Sequence, residues 1–212
     1  MDKERERQAF NRRLNDAEVF SESLILASAS PRRAEILRAV SWPFEVAAVD
    51  IDESKRADES PVAYVERLAR EKAVAAASRF PGKLVLGADT IVLINERVLG
   101  KPADMDEARG MLRELSGKWH EVLTGVALVR VGEKEQESVA HERTRVCFNH
   151  MSDEEIDWHV ANGKPLDKAG AYAVQGHAAL FIREIHGDYW NVVGLPVQLV
   201  YKLARELAAN DE

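Results

Sequence analysis

The chain has 212 residues, enough for one α/β domain with a full core or for two small domains. Its 46% hydrophobic and 31% charged residues are ordinary for a globular protein, and a formal net charge of −7 argues against a protein that coats nucleic acid nonspecifically. The single cysteine, Cys147, excludes an internal disulfide and fits a reducing compartment.

Residues 1–23 mix charges of both signs and lack the apolar core of a signal peptide. No stretch of the chain approaches the length of a membrane span. The segment reads as a charged N-terminal extension, and a cytoplasmic location follows as the default. Leu24-Ile25-Leu26-Ala27 then reads as a buried strand, and Ala34, Ile36, Leu37 and Val40 recur at helical spacing. Between them lies Ser28-Ala29-Ser30-Pro31-Arg32-Arg33. Ser30 sits where an N-cap belongs and Pro31 at the first helical position. Two arginines in a first turn are unfavourable against the helix dipole unless an anion sits among them. The stretch is therefore a candidate phosphate or carboxylate site; the alternative is a capped helix with two solvated arginines.

Trp42 to Val46 reads as a second strand, followed by an acidic loop, Asp50-Ile51-Asp52-Glu53-Ser54, whose plain reading is a solvated turn. Ser60-Pro61 repeats the cap-and-proline start. The helix it opens, with Val62, Val65, Leu68, Ala69 and Ala73 on one face, is expected to run to about Ser78. Arg67, Arg70 and Lys72 along it read as solvated charges. Pro81-Gly82 punctuates the chain before Leu84-Val85-Leu86, which runs through Gly87-Ala88-Asp89-Thr90 into Ile91 to Ile94. An aspartate inside an apolar strand needs a reason, since a buried carboxylate without a partner is costly. Either Asp89 is hydrogen-bonded at a bulge beside Gly87, or it holds a metal ion or a reacting water. The second is favoured, because Gly87 also permits close backbone approach.

Asn95-Glu96 is a turn into Val98-Leu99 and Gly100-Lys101-Pro102. Asp104 and Glu107 have capping-box spacing and open a helix whose Met105, Ala108, Met111, Leu112 and Leu115 are expected in the core. His120 to Val131 and Ser138 to Phe148 read as a hairpin around Gly132, with Cys147 inside the core. Ser152 and Glu155 are a second capping box, for a short helix ending at Asn162-Gly163. The small-residue segment Asp167 to Gly176 looks built for close backbone approach. Phe181 to Ile185 is a strand, and Val197, Val200, Tyr201, Ala204 and Leu207 mark a final amphipathic helix. There is no internal repeat.

Several chemistries lack their motifs. The six histidines are scattered without an H-E-x-x-H pattern, and neither a G-x-G-x-x-G nor a Walker-type loop nor a G-x-S-x-G elbow occurs. What remains is a set of Arg, Lys, Asp and Glu at strand ends and helix starts. Such a set suits phosphoryl chemistry with a divalent metal.

From Leu24 to Leu207 the chain resembles the Maf family of nucleoside triphosphate pyrophosphatases. The resemblance rests on separated motifs in order: Leu26-Ala27-Ser28-Ala29-Ser30-Pro31-Arg32-Arg33, the acidic loop ending at Glu53, Leu68-Ala69-Arg70-Glu71-Lys72-Ala73, Gly87-Ala88-Asp89-Thr90, Gly100-Lys101-Pro102, Asp167-Lys168-Ala169-Gly170-Ala171-Tyr172, Gln175-Gly176 and Val193-Gly194-Leu195-Pro196. It implies an α/β fold, a mixed twisted sheet with flanking helices around a central nucleotide-binding cleft, in a single catalytic domain over residues 24–209 with two lobes about that cleft. It implies hydrolysis of a nucleoside triphosphate to monophosphate and pyrophosphate, with Asp89 as proton acceptor and Ser30, Arg33, Glu53, Lys72 and Lys101 at active-site positions. Arg32, Thr90 and Gln175 match the subgroup acting on dTTP and UTP. A sister group acting on 7-methyl-GTP has Trp in the first of these places. Ala173 departs from the Gly often found there and could narrow the base pocket.

On this reading Ser30 and Arg33, with Lys72 and Lys101, hold the triphosphate. Glu53 and Asp89 bind a divalent cation, Mg2+ or Mn2+, and orient a water for attack on the α-phosphorus. Arg32, Thr90 and Gln175 contact the base; an amide that both donates and accepts suits the imide edge of a pyrimidine. Expected partners are the nucleoside triphosphate, with neither nucleic acid nor membrane, and a homodimer stays open. The rivals are a modified purine triphosphate as substrate, or a nucleotide-binding regulator of cell division with little turnover. Two carboxylates beside a triphosphate favour the enzyme.

Overall fold

A computed structural model describes residues 22–132 and 135–209; of the expected N-terminal extension only Glu22 and Ser23 fall within them. Strand β1 (Leu24–Leu26) is buried on both faces, so its apolar run does not alternate. It lies between two parallel neighbours, β2 (Phe44–Val46) and the first three residues of β3 (Leu84–Ile94). The other neighbours are antiparallel. β4 (Arg97–Leu99) returns on β3 through Asn95 and Glu96, both left-handed, and the long pair β5 (Trp119–Arg130) and β6 (Gln136–Phe148) leads out to β7 (Ile182–His186). The result is a seven-stranded mixed sheet in the order β2-β1-β3-β5-β6-β7, with β4 on β3.

Helices cover both faces, and the parity of the strand residues decides which. Leu24, Leu26, Leu84, Leu86, Ala88, Val126 and Leu128 face α1 (Pro31–Ala39) and the final helix α6 (Val197–Ala209). Further along β3 and β5, Val92, Ile94 and Val122 pack with α3 (Met105–Leu115) and α4 (Asp153–Asn162). The opposite parity, Ile25, Val85, Ala127 and Val129, packs on α2 (Pro61–Ala77). That helix presses unusually close. A Cβ on Gly87 would meet the Ala69 carbonyl oxygen at 2.0 Å, and one on Gly125 the Val65 carbonyl oxygen at 2.2 Å. The close approach expected at Gly87 is thus to the backbone of α2.

The helix starts follow their caps. Ser60 and Asp104 accept from the third residue on, and Ser152 with Glu155 completes a full capping box. Ser30 is a correction: its side chain makes no cap bond, and its amide instead donates to the Ser28 hydroxyl at 3.2 Å. Met105, expected in the core, is 42% exposed in the first turn of α3, whereas Met111 and Cys147 are buried. The expected late loop folds as short 3-10 turns at Pro165–Asp167, Ala169–Ala171 and His177–Leu180, and a five-residue helix, α5 (Tyr189–Val193), follows β7. Among the described residues no helix is long and apolar enough to cross a membrane.

Candidate active site

The sheet is notched along one edge of β3. β1 pairs only with Leu84, Val85 and Leu86, and β4 only with Val92, Leu93 and Ile94, while β5 runs unbroken along the other edge. Residues 87–91 therefore have no strand partner on the notched side among the described residues. A cavity of about 560 Å³ opens there. The chain leaving β1 supplies the Ser28–Arg33 stretch to one wall, and the chain leaving β4 supplies Gly100 and Lys101. Asp89 and Thr90, on opposite faces of β3, both reach it because the notch lets the space wrap around the strand.

Asp89 is not at a bulge, since its register with β5 is continuous and it lies opposite Gly125. Its partner is Lys72, whose Nζ donates to Asp89 Oδ1 at 2.7 Å. Helix spacing alone reads Lys72 as a solvated charge and the family resemblance as an active-site residue; it and Asp89 are each more than nine-tenths buried. The glycines that let α2 lie on the sheet are what bring the two together. Lys72 Nζ also pairs with Glu53 Oε1 at 2.6 Å, so one ammonium bridges the two carboxylates. Burial raises the Glu53 pKa, but the hydrogen bond and charge of Lys72, with Lys101 and Arg33 farther away, outweigh it and hold Glu53 below its ordinary value.

Arg33 forms the other half of the floor. Its Nε donates to the Gly194 carbonyl at 2.9 Å, Nη1 to Ser28 Oγ at 2.9 Å and Nη2 to Thr90 Oγ1 at 3.1 Å. Burial lowers its pKa against the opposing field of Asp89. Thr90 shares its hydroxyl with Thr124 at 2.9 Å, a fully buried residue directly across from it on β5. Arg32 turns toward Asp167, with Nη1 3.5 Å from Oδ2. Lys101 and Gln175 are exposed on the rim. All nine residues singled out from the sequence, namely Ser30, Arg32, Arg33, Glu53, Lys72, Asp89, Thr90, Lys101 and Gln175, line this one cavity.

Tyr64 and Thr124 were not foreseen as parts of the site, while Ser28 and Gly194 stood within quoted motifs without a role of their own. Ser28, Tyr64 and Gly194 also line the cavity, and the Tyr64 hydroxyl donates to the Glu53 carbonyl at 2.8 Å. Only the hydroxyl of Ser28, beside the arginine pair, carried any local signal. Among the described residues there is no group of three or more His, Cys, Asp or Glu placed to hold an ion. Glu53 and Asp89 do converge as a hard oxygen pair, with one oxygen of each on Lys72. Such a pair fits Mg2+ or Mn2+, which take one or two carboxylates and complete their shell with phosphate oxygens and water.

Comparison with known proteins adds an independent finding. A family model described as "Maf-like protein" matches residues 23–207. A protein of Symbiobacterium thermophilum named dTTP/UTP pyrophosphatase is 57% identical over 83% of this chain and 89% of its own length. One of the same name from Syntrophus aciditrophicus is 48% identical over 90% of this chain and 93% of its own. Among solved structures, a HAM1 protein from Coxiella burnetii aligns at a TM-score of 0.45 with 16% identity, covering 90% of this chain and 95% of that one.

Proposed function

The chain belongs to the Maf-like protein family, and from that premise we propose that it hydrolyses dTTP and UTP to the monophosphate and pyrophosphate. The observation that carries this reading is the Glu53–Lys72–Asp89 cluster facing Arg33 across the notch in β3. Cations and carboxylates in one half-buried cavity are what a triphosphate and its attacking water require. The relatives' names support the substrate class.

In this reading residues 24–209 act as one catalytic unit with two lobes about the cleft. Arg33, Lys101 and Ser30 bind the triphosphate, and Lys72 holds the two carboxylates beside one another and offsets their repulsion until substrate arrives. Asp89 orients the water and takes its proton as the water attacks the α-phosphorus, and pyrophosphate departs. A divalent cation, Mg2+ or Mn2+, held by Glu53 and Asp89 with phosphate oxygens, supplies charge neutralisation when bound. Arg32, Thr90 and Gln175 face the base, with Arg32 steadied by Asp167. The low exposure of Asp89 keeps bulk water from competing for its proton-accepting oxygen.

The test is pyrophosphate release from dTTP, UTP, CTP, 7-methyl-GTP and inosine triphosphate with Mg2+. The expected order has dTTP and UTP first. Release from none of them overturns the enzyme reading, and a clear preference for a purine triphosphate overturns the pyrimidine assignment.

A further inference from the structure

The acidic loop has no strand or helix of its own from Ala47 to Ser60, and between residues 50 and 58 only Ile51 is even partly buried. So little apolar surface cannot hold a side chain to ångström accuracy by packing. The loop nonetheless brings Glu53 to 2.6 Å from Lys72. What fixes it is a set of polar bonds from one side of α2. The Tyr64 hydroxyl donates to the Glu53 carbonyl at 2.8 Å, and Arg67 Nη2 donates to the next carbonyl, that of Ser54, at 3.0 Å. Arg67 is itself gripped. Its Nε and Nη2 donate to the two oxygens of Glu59 at 2.6 and 2.9 Å, and its Nη1 to Glu71 at 3.1 Å.

Arg56 closes the ring from the loop side, its amide on Glu59 at 3.1 Å and its guanidinium on Glu71 at 2.8 Å. The side chains of Arg67 and Glu59 are only 12% and 8% exposed, so this is an enclosed junction and not a pair of surface charges. The hydrogen bond and charge of Arg67 hold Glu59 at a pKa of about 2, consistent with a tight junction. Between the two gripped carbonyls and the turn formed by the Ser54 amide on Asp52 Oδ1 at 2.9 Å, Glu53 has little freedom. Tyr64, Arg67, Glu71 and Lys72 are spaced i, i+3, i+7 and i+8, which puts them along one side of the helix. The element that carries Lys72 therefore also carries the clamp on the loop.

We propose that Tyr64 and Arg67 are positioning residues that clamp the main chain at Glu53 and Ser54 to α2 and so deliver the Glu53 carboxylate to Lys72 and Asp89. The catalytic consequence rests on the nucleotide reading of this site; the clamp itself does not. Tyr64→Phe removes one hydroxyl without changing shape, and Arg67→Lys keeps the charge but loses the two-pronged grip on Glu59.

Hydrogen exchange in peptides covering residues 50–59 reads the clamp directly. Either variant is expected to exchange there about fivefold faster, the effect of one lost hydrogen bond, with β3 and β5 unchanged as the control for folding. Unchanged exchange in the loop for both variants overturns the proposal, whatever the enzyme's substrate. In pyrophosphate release, Tyr64→Phe is expected to lower kcat about tenfold with KM for dTTP within about twofold. Placed in a Glu53→Ala background, the same change is expected to lower kcat no further, because no carboxylate remains to be delivered. A full additional loss in that background shows that Tyr64 acts by another route and overturns the positioning role.

Discussion

Replacing Lys72 by Met removes the ammonium between Glu53 and Asp89 while keeping most of the stem's volume. The two carboxylates lose partners at 2.6 and 2.7 Å. Their shares of the cost differ. Asp89, with a side chain 13% exposed, is left as an uncompensated charge in the sheet, and breaking such a buried pair costs about 3–5 kcal/mol. Glu53, 52% exposed, can rehydrate and adds at most ~1 kcal/mol. For a chain of this length each kcal/mol shifts Tm by about 2–4 °C, so a fall of about 10 °C is expected at pH 7.5.

The pH dependence gives the sign. The native protein holds the Glu53 pKa below its ordinary value, so the stability this contributes is present above the ordinary carboxylate range and is lost as pH falls through the depressed folded value. The variant has no ammonium to lose, and protonation relieves its repelling carboxylates. Scanning calorimetry from pH 7.5 to about pH 3, past the ordinary glutamate value of 4.5, should therefore show the Tm gap narrowing toward acid. A gap that is absent at pH 7.5, or that stays constant across the range, refutes the assignment of Lys72 as the electrostatic keystone.

Other substitutions separate packing from chemistry. Gly87→Ala should destabilise by about 1–3 kcal/mol and lower activity, because the new Cβ would lie 2.0 Å from the Ala69 carbonyl and push α2, with Lys72, off the sheet. Gly110→Ala, inside α3 with nothing within 4 Å, should instead stabilise by about 0.5–1 kcal/mol in the same denaturation assay. Asp89→Asn keeps an oxygen for Lys72 but cannot accept a proton, so kcat should fall about 10²–10⁴-fold with a much smaller loss of Tm than Lys72→Met. Gln175→Glu should weaken or reorder the preference for dTTP and UTP; an unchanged substrate ranking counts against its contact with the base.

The local parts of this architecture were legible because local rules produce them. Ser60-Pro61, Asp104 with Glu107 and Ser152 with Glu155 mark helix starts that the structure reproduces, and the apolar runs at Leu24 and Leu84 are central strands. Tyr189–Val193 escaped because five residues hold too little periodicity to register. The site was legible as a set of positions through family resemblance, but its physics was not. A lysine and an aspartate 17 residues apart carry no sign of their bond; it exists because Gly87 and Gly125 let a helix backbone settle on the strands. Arg67, read as a solvated charge, is enclosed by the acidic loop folding over it through Glu59 and the Ser54 carbonyl, a contact between distant residues that no helix spacing signals, while Arg70, one turn away and half exposed, meets that reading even though it pairs with Glu137. Thr124 gave no signal at all, being one residue among the apolar run of β5 whose role depends on which strand lies opposite. The notch in β3 is a property of sheet order, which no window of sequence contains.

In the proposed reaction, water adds to the α-phosphorus of a pyrimidine triphosphate in the cavity at Asp89. Turnover of dTTP in ¹⁸O-labelled water, with the products separated and weighed by mass spectrometry, tests it most directly. Attack at the α-phosphorus places one labelled oxygen in dTMP and none in pyrophosphate. Label in pyrophosphate, or release of inorganic phosphate in place of pyrophosphate, would contradict it.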